Sequence, residues 1–210
     1  MLTVLSGLAF KLSRLNTAVR RIKYLLFELN MELKAIDITR ENFAPFGFLI
    51  EPQEDGEEFS PEILCENAKD ASVDLSKGTP RFYIMRLRDR KLEFDRITFH
   101  RNVTQCLGAV SNVDAWYLAV AKPTMSVERF PKIEDINGEN QDVTVFRIPH
   151  GVYVKLHAGT WHAGPLWDSG AAGAPSYVDF GNLELADTNV VDHNTHVYEE
   201  YIRVLPVTGH

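Results

Sequence analysis

The chain has 210 residues, 45% of them hydrophobic and 24% charged, with a formal net charge of −7. That composition fits one globular domain with a core of its own and excludes a disordered or membrane-embedded chain. The acidic balance argues against a nucleic-acid footprint, and no run approaches the roughly 20 apolar residues that a spanning helix requires. Two cysteines, Cys65 and Cys106, supply neither a disulfide framework nor a zinc cluster and read as inert thiols.

Residues 1–30 differ from the rest. They hold Lys11, Arg14, Arg20, Arg21 and Lys23 against a single acid, Glu28. Leu8, Leu12, Leu15, Val19, Ile22 and Leu26 recur at helical spacing on one face. Three readings stay open: an organelle transit peptide, a start codon upstream of the true one at Met31, or a structural helix. The first implies a mitochondrial or plastid protein and the second a cytoplasmic one. The working domain is expected over 31–210.

From Thr39, an N-cap residue, a short helix is expected to stop before Pro45-Phe46-Gly47. Glu51–Gly78 is acidic and irregular, a surface excursion. In Arg81–Arg88 the alternation puts Tyr83, Met85 and Leu87 on one face of a half-buried strand. Further strands are expected at 96–100, 105–110, 116–120, 143–148, 152–156, 177–182 and 196–204. Turn residues separate them, among them Gly108, Asn112, Asp114, Pro123, Asn137-Gly138, Pro149 and Gly159. The segments 132–142 and 168–176 read as loops. No helical stretch intervenes that could make parallel βαβ units. An antiparallel sandwich or closed barrel is the expected outcome, since closure removes exposed strand edges.

Six of the seven histidines lie between residues 100 and 196. His100 and Gln105 are close in sequence. In Leu156-His157-Ala-Gly159-Thr-Trp161-His162-Ala-Gly-Pro165 the glycine allows a tight turn, so His157 and His162 could approach from two sides of a bend. A neutral imidazole there could move a proton or bind a metal; the alternative is that Trp161 and His162 simply pack at a barrel mouth. In the stretch from Asp179 to His196, strand alternation should turn half of the polar groups to water. Asp192-His193 reads as an oriented histidine or as a turn. Asn102-Val-Thr104 matches a glycosylation acceptor by chance. Phosphate-cradling glycine loops, nucleophile elbows and Cys-x-x-Cys pairs do not occur in the sequence.

Three blocks carry a resemblance. Ala35-Ile-Asp-Ile-Thr-Arg-Glu-Asn-Phe-Ala-Pro-Phe-Gly47, His100-Arg-Asn-Val-Thr-Gln105 and Val154-Lys-Leu-His157-Ala-Gly-Thr-Trp-His162-Ala-Gly-Pro-Leu166 resemble the ureidoglycolate lyase family of the cupin superfamily. The plant branch is the nearest, through Thr104-Gln-Cys-Leu-Gly108, Trp116-Tyr-Leu and Asn189-Val-Val-Asp-His193.

The resemblance implies an all-β, antiparallel cupin-type barrel (jelly-roll-like) with a few short helices. It also implies cleavage of ureidoglycolate into glyoxylate and urea, a step of allantoin breakdown. Under it His162 leads for proton transfer, with His100 or His157 second. Gln105, Trp161 and Lys155 bind substrate, Arg101 being the alternative cation for the carboxylate. The metal-binding cupin motif is incomplete, because one imidazole and the carboxylate are missing around His100. A divalent metal, if held, would take His100, His157 and His162. A homodimer is implied by the family. Amide hydrolysis of the same substrate, and a non-catalytic cupin that binds a small carboxylate or ureide, are the competing functions.

Overall fold

The computed structural model describes residues 31–57, 68–111, 113–133 and 141–208. The segment 1–30, Cys65, Asn112 and Asn137-Gly138 lie outside the described residues. Among the described residues eleven strands run in chain order: β1 Glu32–Asp37, β2 Gly47–Ile50, β3 Pro80–Arg88, β4 Glu93–Phe99, β5 Cys106–Ala109, β6 Ala115–Ala121, β7 Thr144–Pro149, β8 Tyr153–Leu156, β9 Trp161–Leu166, β10 Tyr177–Leu185 and β11 Asn194–Leu205. Two one-turn helices interrupt them, α1 Arg40–Phe43 and α2 Thr188–Val191. Among the described residues no helix is long and apolar enough to cross a membrane.

The strands form a closed six-stranded barrel, in the order β1-β11-β4-β9-β6-β7, and a five-stranded sheet, β2-β8-β5-β10-β3. This is the closed barrel that the patterning allows and the cupin-type fold that the resemblance implies, with one departure. Strand β1 runs parallel to both of its neighbours, β11 and β7, and every other pairing is antiparallel. Thr39 caps α1 as expected. Its hydroxyl accepts from the Asn42 amide at 3.2 Å while the Asn42 carboxamide oxygen accepts from the Thr39 amide at 2.8 Å.

Two cores follow from strand alternation. One fills the barrel, with Leu33, Ile97, Phe99, Val145, Trp161 and Ile202 buried together. The other lies between the outer wall of β6–β7 and the inner face of the five-stranded sheet, around Trp116, Leu118, Phe146, Val154 and Phe180. Strand β9 is not among the strands expected from the sequence, and it carries a proline, Pro165. The proline is accommodated because β4 and β9 pair only at Thr98 and His162, and the β6–β9 register slips nearby. A missing N–H therefore breaks no ladder at that edge. Cys106 is buried, and burial alone pushes its thiol pKa up to about 12, as an inert thiol requires.

Candidate active site

The five-stranded sheet changes character along its inner face. Across β3 and β10 the register pairs Leu87 with Val178, Met85 with Phe180, Tyr83 with Asn182 and Arg81 with Glu184. On β5, Ala109 stands opposite Phe180 and Leu107 opposite Asn182, and Gln105 precedes them. Period-two alternation puts all of these on one face, apolar at one end and polar at the other.

At the polar end Glu184 is fully buried. Its Oε1 accepts from Asn189 Nδ2 at 2.7 Å, from Tyr83 OH at 3.3 Å and from the Arg81 guanidinium. Its Oε2 accepts from Asn182 Nδ2 at 2.9 Å and from Gln105 Nε2 at 3.0 Å. Five donors on one carboxylate are what make a buried negative charge tolerable. Asn182 gives its second amide hydrogen to Tyr83 OH at 2.8 Å, and burial holds the Tyr83 phenol above its ordinary pKa, so it remains a donor. Three atoms of this cluster are buried with no protein partner: Gln105 Oε1, Asn182 Oδ1 and Arg81 Nε. An unsatisfied buried polar atom costs about 1–3 kcal/mol, so such a cluster is built for something that completes it.

The histidines complete the site. Trp161 and Ala163 turn into the barrel core, so His162 between them is on the opposite face of β9. His100, just past the end of β4, brings its ring centroid within 5.2 Å of that of His162. His100 Nδ1 meets the Asp192 carbonyl at 2.7 Å, and His162 Nδ1 meets the Thr160 carbonyl at 3.2 Å. A carbonyl only accepts, so each Nδ1 carries its hydrogen and each Nε2 is left with a lone pair. Burial lowers the pKa of both rings. For His162, burial together with the neighbouring His100 pushes it down to about 3, against a weaker opposing pull from Thr160. His100 is lowered by burial, while its bond to Asp192 and the charge of Glu184 oppose the shift. Both imidazoles are thus neutral bases at pH 7. His193 lies 5.6 Å from His100 between ring centroids. A cleft of about 560 Å³ reaches His162 along the gap between β4 and β9, lined also by Arg96, Thr98, His193 and Tyr201.

Residues 30–204 match the family model described as Ureidoglycolate lyase. The chain belongs to the ureidoglycolate lyase family. It is accordingly an enzyme of that family, one that splits ureidoglycolate into glyoxylate and urea. A search of curated proteins finds none that matches it.

Of the residues that the lyase resemblance nominates, the structure brings His100 and His162 together and sets Gln105 on Glu184. The others lie elsewhere. His157 stands on the far side of the Gly159 turn, exposed, with Nε2 on the Ala44 carbonyl at 3.2 Å. The five-residue spacing spans the turn, but β9 then carries His162 inward while His157 is tied to the end of α1. Lys155 lies between Val154 and Leu156, which face the inter-sheet core, so it points the other way, where Nζ donates to the Ser72 carbonyl at 3.0 Å. Trp161 belongs to the barrel core, packed against Phe99 with the rings tilted by 58° and donating to Thr124 Oγ1 at 2.8 Å. Arg101 is exposed over the Phe99 ring.

The cupin metal centre therefore does not fit this lyase. With His157 withdrawn, the set His100, His157 and His162 is not assembled, and the buried carboxylates nearby are already engaged, Glu184 by its five donors and Asp192 by Asn102 and Asn194. Among the described residues no group of three His, Cys, Asp or Glu is placed to hold a metal.

Sequence reasoning missed Glu184, Tyr83, Asn182, Arg81 and Asn189. Asp192 and His193 divide their roles. The Asp192 carbonyl fixes His100, and its carboxylate accepts from the Asn102 amide at 2.8 Å and from Asn194 Nδ2 at 3.0 Å.

Proposed function

We propose that this lyase carries one proton from the substrate hydroxyl to the departing nitrogen through a neutral histidine, with His162 as that base and His100 beside it as its partner. Ureidoglycolate carries a hydroxyl and a ureido nitrogen on the same carbon. His162 Nε2 takes the hydroxyl proton, the oxygen lone pair forms the glyoxylate carbonyl, and the C–N electron pair leaves with the nitrogen. The same Nε2–H then protonates that nitrogen to give urea. The proton count closes without a separate acid, which suits an imidazole that is neutral at pH 7.

The observation that carries this reading is the paired pinning of Nδ1 on main-chain carbonyls, which leaves two basic Nε2 atoms on rings whose centroids are 5.2 Å apart. The β4–β9 cleft is the route by which substrate reaches His162. The place in metabolism that follows is allantoin breakdown. The test is glyoxylate release from ureidoglycolate by the purified protein, against His162→Ala. A loss of roughly 10²–10⁴-fold is expected. Equal turnover in the variant, or none in the parent, would overturn the proposal.

A homodimer is part of the same reading. Strand β3 is the edge of the five-stranded sheet, and its outward Phe82 and Ile84 are each 63% exposed. Such an edge strand, with Phe82 and Ile84 outward beside the exposed Arg86 and Arg88, can pair through its apolar half; a second copy of the chain is its expected occupant. Light scattering should give the dimer mass for the parent and the monomer mass for Ile84→Lys. A monomeric parent would remove this element.

A further inference from the structure

We propose that the polar end of the five-stranded sheet is a ureido-recognition subsite, in which Gln105 Oε1 and Asn182 Oδ1 accept substrate N–H groups, Arg81 Nε donates to the ureido carbonyl, and Glu184 is the positioning residue that aims them. The ligand's identity rests on the lyase reading above; the orientation of the three groups does not.

That orientation is imposed by chemistry. A carboxylate only accepts, so each amide that touches Glu184 must present its nitrogen. Gln105 Nε2 and Asn182 Nδ2 both do so, and Asn182 spends its remaining hydrogen on Tyr83 OH. The carbonyl ends are consequently turned away from Glu184. Gln105 is 7% exposed and Asn182 2%, and neither oxygen has a protein partner. Buried side-chain polar atoms are nearly always satisfied, and here two acceptors and one donor from one network are not. A ureido group offers the complement, a carbonyl acceptor flanked by N–H donors on both nitrogens. A plain dicarboxylate offers no donors and would face two lone-pair-bearing oxygens. Sites that hydrogen-bond a substrate N–H strongly reject the analogue that lacks it, because their own polar groups are then left unpaired.

The test measures binding without turnover. Hydantoate keeps the carboxylate and the whole ureido group but has no hydroxyl, so it cannot be split; N-acetylglycine replaces its terminal NH₂ with a methyl. Calorimetric titration of the full-length protein should show hydantoate binding at least about tenfold more tightly than N-acetylglycine. Gln105→Met and Asn182→Leu should each weaken hydantoate by about tenfold and bring the two ligands closer together. In Glu184→Gln the amides can turn over, so the ratio should collapse toward one even where thermal unfolding shows a folded protein. A merely structural role for Glu184 would weaken both ligands alike. If Glu184→Gln does not fold, the Gln105 and Asn182 variants decide between the two outcomes. Failure of the parent to bind hydantoate, equal affinity for the two ligands, or an unchanged ratio in both amide variants would overturn the subsite. Intact hydantoate selectivity in a protein that releases no glyoxylate would instead overturn the lyase mechanism and leave the subsite standing.

Discussion

The imidazoles of His100 and His162 lie with ring centroids 5.2 Å apart, each tethered through Nδ1 to a main-chain carbonyl. Neither can take up a proton cheaply, since burial opposes the charge on each and the first protonated ring would repel a second.

Activity should therefore keep its basic form well into acid. The pKa of His162, the proposed base, is pushed from 6.5 down to about 3, so kcat/KM for glyoxylate release should stay level from pH 8 through 6 rather than halving near 6.5. A profile of initial rates against pH checks this. A half-maximal point at 6.5 would mean that neither ring is the base or that neither is shielded.

Stability should respond to the same protons with the opposite emphasis. The unfolded chain binds protons at its histidines below 6.5, whereas folded His162 refuses them until about 3. The unfolded state thus binds more protons across that interval, and stability falls as pH drops. Between 6.5 and the ordinary glutamate value of 4.5 the histidines dominate the trend. Thermal midpoints measured over that window should decline toward acid, and His162→Gln should flatten the slope.

Removing the carboxylate hub should be costly. Glu184→Leu leaves Arg81, Tyr83, Gln105, Asn182 and Asn189 without their common acceptor. Glu184 is fully buried, whereas Arg81 is 39% exposed and can turn to water, so the main cost is the buried amide donors left without an acceptor, about 1–3 kcal/mol each. Denaturant unfolding of parent and variant measures it, and a change below about 1 kcal/mol would show that the donors find other partners.

The back of the sheet makes a separate prediction. A Cβ at Gly108 would sit 2.3 Å from the Tyr153 ring, and one at Gly181 would sit 2.4 Å from its hydroxyl. Gly108→Ala should destabilise by roughly 1–3 kcal/mol through overpacking. In a Tyr153→Ser background the same change should cost little, and a double-mutant cycle reads the coupling.

Much of this fold is legible in the sequence, and the part that is not has a physical explanation. The strand periods place β3–β8, β10 and β11, because alternation survives wherever one face is buried. Strand β9 is hidden because Gly164-Pro165 breaks the strand pattern, and the proline is tolerated because β4 and β9 pair only at Thr98 and His162. His100, Gln105 and His162 stand out as residue types in a motif. Glu184 does not, since flanking leucines make it look like the solvent-facing member of an apolar strand. Yet the alternation that pairs Phe180 with Asn182 continues to 184, and Tyr83, Met85 and Leu87 mark the facing row; carrying the period two residues further finds it. His157 misleads for a different reason. Spacing in sequence says how far apart two residues can be, and only the turn says which way each one looks.

The parallel placement of β1 has a consequence for how the chain is made. Glu32 and Lys34 take as partners Arg203 and Leu205, while Ala35 to Asp37 take Val145 to Arg147. The earliest strand therefore waits for the latest, and the cylinder cannot seal on a ribosome-bound chain until about residue 205 has emerged. Long-range closures of this kind slow folding and leave strand edges open meanwhile. A nascent chain stalled before β11 would hold the five-stranded sheet's residues and both site histidines, yet β1 would still lack one of its two neighbours.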